Sequence, residues 1–248
     1  MFLIVLLILA GVAAGFINTL AGGGSTLVLP ILILIGLPSP VANATNRVAI
    51  LLQNITGTAR FHKHGKLDVK PVIHITIAAS LGAIVGSFFA VKLNSAVFDK
   101  ILGVVFIFIL IMVIKPKQKR SYAKTLPKWL EFVIFLAVGF YGGFIQVGIG
   151  FILLGTLNLI ENFSLVRANA VKVFIVMCYT IFAVIVFAIS DKIIWLYGLI
   201  LAIGNIIGAW IGVHAAVKRG DKIVKIVLAT AICIACLKLF GVFTLIGL

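Results

Sequence analysis

The stretch GFINTLAGGGSTLVLPILILIGLPSPVANATN, residues 15–46, decides how the rest of the chain is read. A long apolar run is interrupted by Gly22, Gly23, Gly24, Ser25 and Thr26. Three successive glycines pack no side chain and disfavour helix. An apolar segment therefore breaks at membrane depth. Unpaired backbone is tolerated there only where protein covers it or a watery cavity meets it, so the break is a candidate substrate site.

The totals fix the class. Of 248 residues, 63% are hydrophobic and 11% charged, with a mean hydropathy of +1.29, far from the composition of a soluble domain. The expectation is an all-α polytopic membrane protein in the lipid bilayer, with room for roughly six to ten crossing or half-crossing helices. A formal charge of +15 invites a nucleic-acid partner, but Lys and Arg lie mostly in short loops between apolar runs, so topology and anionic headgroups explain them and no nucleic acid is expected. Cys178, Cys233 and Cys236 all sit in apolar stretches. Neither a disulfide framework nor a completed zinc site is expected from them, and no metal or cofactor is implied.

In chain order, residues 1–20 form an apolar arm and Leu27–Leu37 a second one, too short to span a bilayer. Pro38 and Pro40 end it, with Ser39 placed to cap a helix over about Val41–Phe61. That helix carries Asn43, Thr45, Asn46, Arg47, Gln53, Asn54 and Thr56, the most polar set in any apolar run here. Apolar runs follow at Val72–Leu93 and Ala96–Ile114, and the basic loop 115–128 divides the chain nearly in half.

The second half repeats the first. Gly143-Phe144-Ile145-Gln146 matches Gly15-Phe16-Ile17-Asn18, with Gly148 and Gly150 following as Gly22 to Gly24 do. Ala168-Asn169-Ala170 matches Ala42-Asn43-Ala44, Gly204, Gly208 and Gly212 match Gly82, Gly86 and Ala90, and Asp221-Lys222-Ile223 matches Asp99-Lys100-Ile101. The offset drifts from 128 to 122. The expected domain plan is one transmembrane domain with repeat one at 1–114, a cytoplasmic loop at 115–128 and repeat two at 129–248. Each repeat is a broken or re-entrant first helix pair plus three transmembrane helices. If the halves are parallel, 12 Lys and Arg fall inside and 7 outside; if inverted, 15 and 4, with Arg47 and Lys172 set aside. The positive-inside rule favours inversion.

GFINTLAGGGSTLVLPILILIGLP, followed by ANATNRVAILLQNITGTARFHKHGKLD, resembles the first half of the sulfite exporter TauE/SafE family, also called the toluene sulfonate uptake permease family. The resemblance covers nearly the whole chain. It rests on the glycine-rich break, the Leu-Pro pair, the Ala-x-x-Thr-Asn segment and a Gly-x-x-x-Phe turn into a basic loop. It implies a multi-pass transporter of the bacterial inner membrane that moves small sulfur-containing or organic anions such as sulfite or sulfonates.

The residues point to an anion independently. Asp68, Asp99, Glu131, Glu161, Asp191 and Asp221 all lie in loops or at segment ends, leaving no midplane carboxylate for a cation or a proton relay. Arg47 and Lys172 lie within apolar runs. A half-helix starting after Gly24 would present free N–H groups and the positive end of its dipole. The candidate substrate site is therefore Gly22, Gly23, Gly24, Ser25, Thr26, Gly148 and Gly150, with Asn18, Asn43, Asn46, Arg47, Gln146, Asn169 and Lys172 nearby. Beside it stand plainer readings: close helix packing for the glycines, carbonyl capping for Arg47 and Lys172, and interhelical bonding for Asn43 and Asn169. The function expected is alternating-access secondary transport, with an anion-selective channel as the alternative. No Gly-x-Ser-x-Gly, no His-Glu-x-x-His and no midplane Asp pair supports an enzyme. The oligomeric state, monomer or homodimer, is left open.

Overall fold

The computed structural model describes residues 2–114, 126–160 and 163–239, with side chains described for all of these except 109–114, 159–160 and 220–239. The described residues form helices and connecting turns only: α1 (Phe2–Leu20), α2 (Ser25–Leu34), α3 (Ser39–Lys63), α4 (Ile73–Lys92), α5 (Ser95–Ile114), α6 (Lys128–Phe144), α7 (Ile149–Ile160), α8 (Leu165–Ile189) and α9 (Trp195–Leu239), with a 3₁₀ turn at Lys70–Val72 before α4.

Among the described residues, four segments are long and apolar enough to cross a bilayer: Phe2–Leu20, Lys70–Lys92, Leu165–Ile189 and Trp195–Arg219. With 10 and 12 residues, α2 and α7 reach only about 15 and 18 Å, half of the roughly 30 Å hydrocarbon core. Ile73, Ile77, Leu81, Val85 and Phe88 leave an exposed apolar stripe along α4, suited to lipid rather than water. By contrast, α3 keeps Asn43, Thr45, Asn46, Arg47, Gln53 and Asn54 buried. It lies against α8 and α9. A helix wrapped by other helices need not be apolar, because its neighbours rather than lipid solvate it.

Glycines set the closest packing. A Cβ on Gly82 would stand 2.0 Å from the Leu136 carbonyl oxygen, and one on Gly86 2.1 Å from that of Phe140, so α4 and α6 touch backbone to backbone and run in the same direction. The same arrangement joins α9 to α1, with Gly204 against Ile8 and Gly208 against Val12, each at 2.1 Å. Thus the first helix of each half packs on a helix of the other half. The helices α3 and α8 run in opposite directions: Gly57 faces Val173, while the Arg47 guanidinium lies over the Phe187 ring, 5.2 Å from its centroid.

Some sequence expectations change. Ser39 does not cap α3; Pro38 holds the N-cap position with no side-chain bond, and the Ser39 hydroxyl instead donates to the Asp99 carboxylate of α5. After Asp191 the described residues form α9, one continuous helix of 45 residues. Residues 218–225 within it hold no proline, and a single glycine does not end a helix. The landmark Gly15/Gly143, 128 residues apart, holds for the glycine packing faces, but α1 and α6 end at Leu20 and Phe144, 124 residues apart. The first helix therefore runs about one turn further past its glycine in repeat one. Most of the basic loop 115–128, Glu161, and the side chains of Asp221, Lys222, Lys225, Cys233, Cys236 and Lys238 lie outside what is described.

Candidate functional site

Both interruptions fall where the glycines place them, and they meet. At the first, Ile17 O accepts from Ala21 N at 2.7 Å and from Gly22 N at 3.0 Å, after which Gly22 turns the chain at φ +88°. At the second, Gln146 and Gly148 turn it at φ +68° and +72°. A non-glycine residue in that region is strained and needs holding. Arg47 Nη1 supplies the hold, donating to Gln146 Oε1 at 2.9 Å. A Cβ on Gly22 would lie 2.2 Å from Gly150 Cα, and one on Gly150 2.1 Å from Gly22 Cα. Only glycine at both positions lets the two breaks cross.

Beside this crossing lies a small cavity of about 20 Å³. Asn18, Gly22 and Ser25 line it from the first break, and Gln146, Ile149 and Gly150 from the second. Ile50, Gln53 and Asn54 of α3 and Lys172 and Val176 of α8 complete the wall. Gln53 and Asn54 stood in the polar set of α3 but not in the expected site. With Ile50 they follow Asn46 at spacings of four, seven and eight, a one-face helical pattern that would have placed them together.

The half-helix amides are partly spent within the breaks. Gly24 N donates to Asn18 Oδ1 at 2.6 Å, Thr26 N to Gly23 O at 3.1 Å, Ile149 N to Gln146 O at 3.2 Å and Phe151 N to Gly148 O at 3.0 Å. Among the described hydrogen bonds, the amides of Ser25 and Gly150 take no part, and both residues face the cavity. The Thr26 hydroxyl donates to Gly23 O at 2.6 Å. Thr26, Gly23, Gly24 and Gly148 thus shape the breaks without lining the cavity.

The two buried cations are bound by the chain itself. Lys172, 2% exposed, donates to Asn18 O at 2.7 Å, Thr19 O at 3.1 Å and Asn169 Oδ1 at 2.6 Å. Arg47, fully buried, donates through Nη1 to Gly142 O at 2.6 Å and through Nη2 to Gly143 O at 2.8 Å, besides its bond to Gln146. Each cation satisfies carbonyls at the C-terminal end of the other half's first helix, where the macrodipole is negative. The asparagines one turn earlier act alike: Asn43 Nδ2 donates to Phe144 O at 3.0 Å and Asn169 Nδ2 to Leu20 O at 3.1 Å. Arg47, Asn43, Asn46 and Asn169 lie outside the cavity wall, whereas Lys172 is part of it.

No described acid neutralises either cation. The one ion pair among the described residues joins His74 to Glu131 at 3.0 Å. Gln53 Oε1 accepts from Asn18 Nδ2 at 3.2 Å and Asn205 Nδ2 at 3.4 Å, tying α3 to α1 and α9 at the wall. Asn205 is a further residue near the site that the sequence reading missed. The described residues hold no cluster of three metal-ligating side chains.

The profile of the family described as "Sulfite exporter TauE/SafE" matches residues 7–239. The chain is 27% identical over 227 residues to a "Probable membrane transporter protein ORF9" of Sinorhizobium sp, covering 90% of this chain and 87% of that one. It is 25% identical over 226 residues to a "Probable membrane transporter protein" of Haemophilus influenzae, covering 90% and 89%. It is 28% identical over 233 residues to the "Probable membrane transporter protein YfcA" of Escherichia coli K12, covering 88% and 83%. No solved structure gives a significant match. With its apolar spans and its match along nearly the whole length, this multi-pass membrane protein belongs to the sulfite exporter TauE/SafE family.

Proposed function

We propose that the chain is a secondary transporter that carries a small oxyanion, sulfite-like or sulfonate-like, by alternating access, with the anion held where the two breaks cross. The observation that carries this reading is the pair of buried cations at the crossing, Lys172 in the wall of a small cavity and Arg47 bonded to its Gln146, with no described carboxylate to neutralise them. A buried charge needs a counter-charge or a full set of polar partners. A visiting anion supplies the counter-charge. The free amides of Ser25 and Gly150, the Ser25 hydroxyl, the Gln53 and Gln146 side chains and the Lys172 ammonium are its contacts.

In this reading the halves are inverted repeats, 1–114 and 129–248, joined by the basic loop 115–128 on the cytoplasmic side of a bacterial inner membrane. Support comes from the opposite directions of α3 and α8 and from the exchanged packing of α1 on α9 and α6 on α4. Repeat-related helices that run antiparallel belong to inverted rather than parallel halves. Alternating access is then a rocking of one half against the other about the crossing.

Two measurements test the proposal. Thermal shift of the purified protein against sulfite, thiosulfate, sulfonates and small carboxylates is expected to stabilise with sulfur oxyanions. Sulfite flux in proteoliposomes is expected to saturate and to support counterflow. Unitary currents would instead make the protein a channel, and flux with neither property would end the site assignment.

A further inference from the structure

Gln53, Gln146 and Asn54 line the cavity with their amides oriented from behind, by groups that can bond in one sense only. Gly24 N can only donate, and it donates to Asn18 Oδ1 at 2.6 Å, which turns Asn18 Nδ2 toward Gln53. Gln53 therefore offers its Oε1 to Asn18 Nδ2 at 3.2 Å and to Asn205 Nδ2 at 3.4 Å, and its own Nε2 is left to the cavity. A guanidinium has donors alone, so Arg47 Nη1 holds Gln146 Oε1 at 2.9 Å and leaves Gln146 Nε2. A carbonyl oxygen only accepts, so Ile50 O takes Asn54 Nδ2 at 2.7 Å and leaves Asn54 Oδ1.

The hydrogen-bonding character of the wall follows. Gln53 Nε2, Gln146 Nε2 and the amides of Ser25 and Gly150 are donors without a partner among the described hydrogen bonds, and Lys172 adds positive charge. Asn54 Oδ1 is a fixed acceptor, and the Ser25 hydroxyl can turn to either role. An oxyanion with no O–H satisfies the donors but sets its negative oxygens against Asn54 Oδ1, which is left unbonded. One with a single O–H gives that hydrogen to Asn54 Oδ1 and turns its other oxygens to the donors. The enclosed volume of about 20 Å³ is little more than the roughly 10–15 Å³ a water needs, so individual ligand oxygens meet this wall and its bonds do the sorting. We propose that the site selects a singly protonated oxyanion, hydrogensulfite among the sulfur oxyanions, over sulfonates and the sulfite dianion, with Asn54 reading the proton.

This inference rests on the anion site proposed above, and the test separates the two. The purified full chain is titrated calorimetrically with methylphosphonate and with methanesulfonate, at a pH where the phosphonate carries one proton. The two anions share shape and charge and differ by one O–H. Methylphosphonate is expected to bind about tenfold or more tightly than methanesulfonate. Equal affinities, or tighter methanesulfonate, would overturn the proposal. Asn54→Leu keeps the bulk and removes the acceptor, and the ratio of the two affinities is expected to fall close to one. That ratio does not depend on how much of the variant folds, and an undiminished ratio would refute the role given to Asn54. If sulfite binds while neither methyl anion does, sulfite is titrated on either side of its second ionisation. Tighter binding of the protonated form is then expected in the wild type, with the preference lost in Asn54→Leu, which shares every titratable group with it; the same preference in both, or none in the wild type, would overturn the proposal. Binding of neither sulfite nor either probe would end the anion site itself, and this inference with it.

Discussion

Arg47 and Lys172 each close the first helix of the half to which they do not belong. Arg47 of α3 binds the carbonyls of Gly142 and Gly143 at the end of α6, and Lys172 of α8 binds those of Asn18 and Thr19 at the end of α1. The broken helices therefore end on charges supplied across the molecule.

Arg47 is for this reason expected to matter for stability. Arg47→Met leaves two buried carbonyls and the Gln146 amide without their donor, each such loss costing about 1–3 kcal/mol. Thermal unfolding in detergent is expected to drop sharply for Arg47→Met. The drop should be smaller for Arg47→Lys, which keeps the charge but loses the planar fork. An unfolding temperature equal to wild type for Arg47→Met would remove the capping role.

The crossing of the breaks gives a steric prediction. Gly22→Ala meets Gly150 Cα at 2.2 Å and must also adopt φ +88°, so it is expected to abolish both transport and a well-folded state. At Gly103 a Cβ meets nothing within 4 Å, and Gly103→Ala within α5 is expected to be neutral or slightly stabilising, by up to about 1 kcal/mol. Size-exclusion profiles and unfolding temperatures of the pair check this contrast.

Gln53 separates binding from folding. Gln53→Leu strips Asn18 and Asn205 of their shared acceptor and is expected to lower stability by about 1–3 kcal/mol. Gln53→Glu keeps an acceptor at that point but places a negative charge on the cavity wall. Its unfolding temperature is expected to stay closer to wild type, while sulfite-induced stabilisation disappears. Equal sulfite shifts in Gln53→Glu and wild type would exclude an anion from this wall.

The pair His74–Glu131 should contribute little. Its His74 side chain is 37% exposed, and exposed ion pairs contribute about 0–1 kcal/mol. Glu131→Gln is expected to leave unfolding and flux unchanged within error, and a large loss would show that the α4–α6 seam depends on its charged end rather than on its glycines.

Much of the helix plan was readable because the signals are local. Gly22 to Gly24 broke the first arm where α1 ends and α2 begins, and the pair Leu37-Pro38 immediately preceded α3. The second break was harder to place, because one of its two left-handed turns falls on Gln146, which carries no glycine signal; it is held there by Arg47, 99 residues away. The plainer reading of Arg47 as a carbonyl cap describes its bonds, and the plainer reading of Asn43 and Asn169 as interhelical donors describes theirs. Lys172 does both, capping α1 and facing the cavity.

By itself, the amino-acid order determined the membrane class, the positions where apolar helices break and the recurrence of landmarks along the two halves. These follow from composition and from the conformational preferences of glycine and proline, which act within a few residues. Only the tertiary structure decided which carbonyls each cation meets, that Gly22 and Gly150 touch, and that Gln53 rather than Asn46 lines the cavity. Those relations join residues about a hundred or more positions apart or turn on a helix's rotation about its axis, and both are set by how glycine faces let the helices approach.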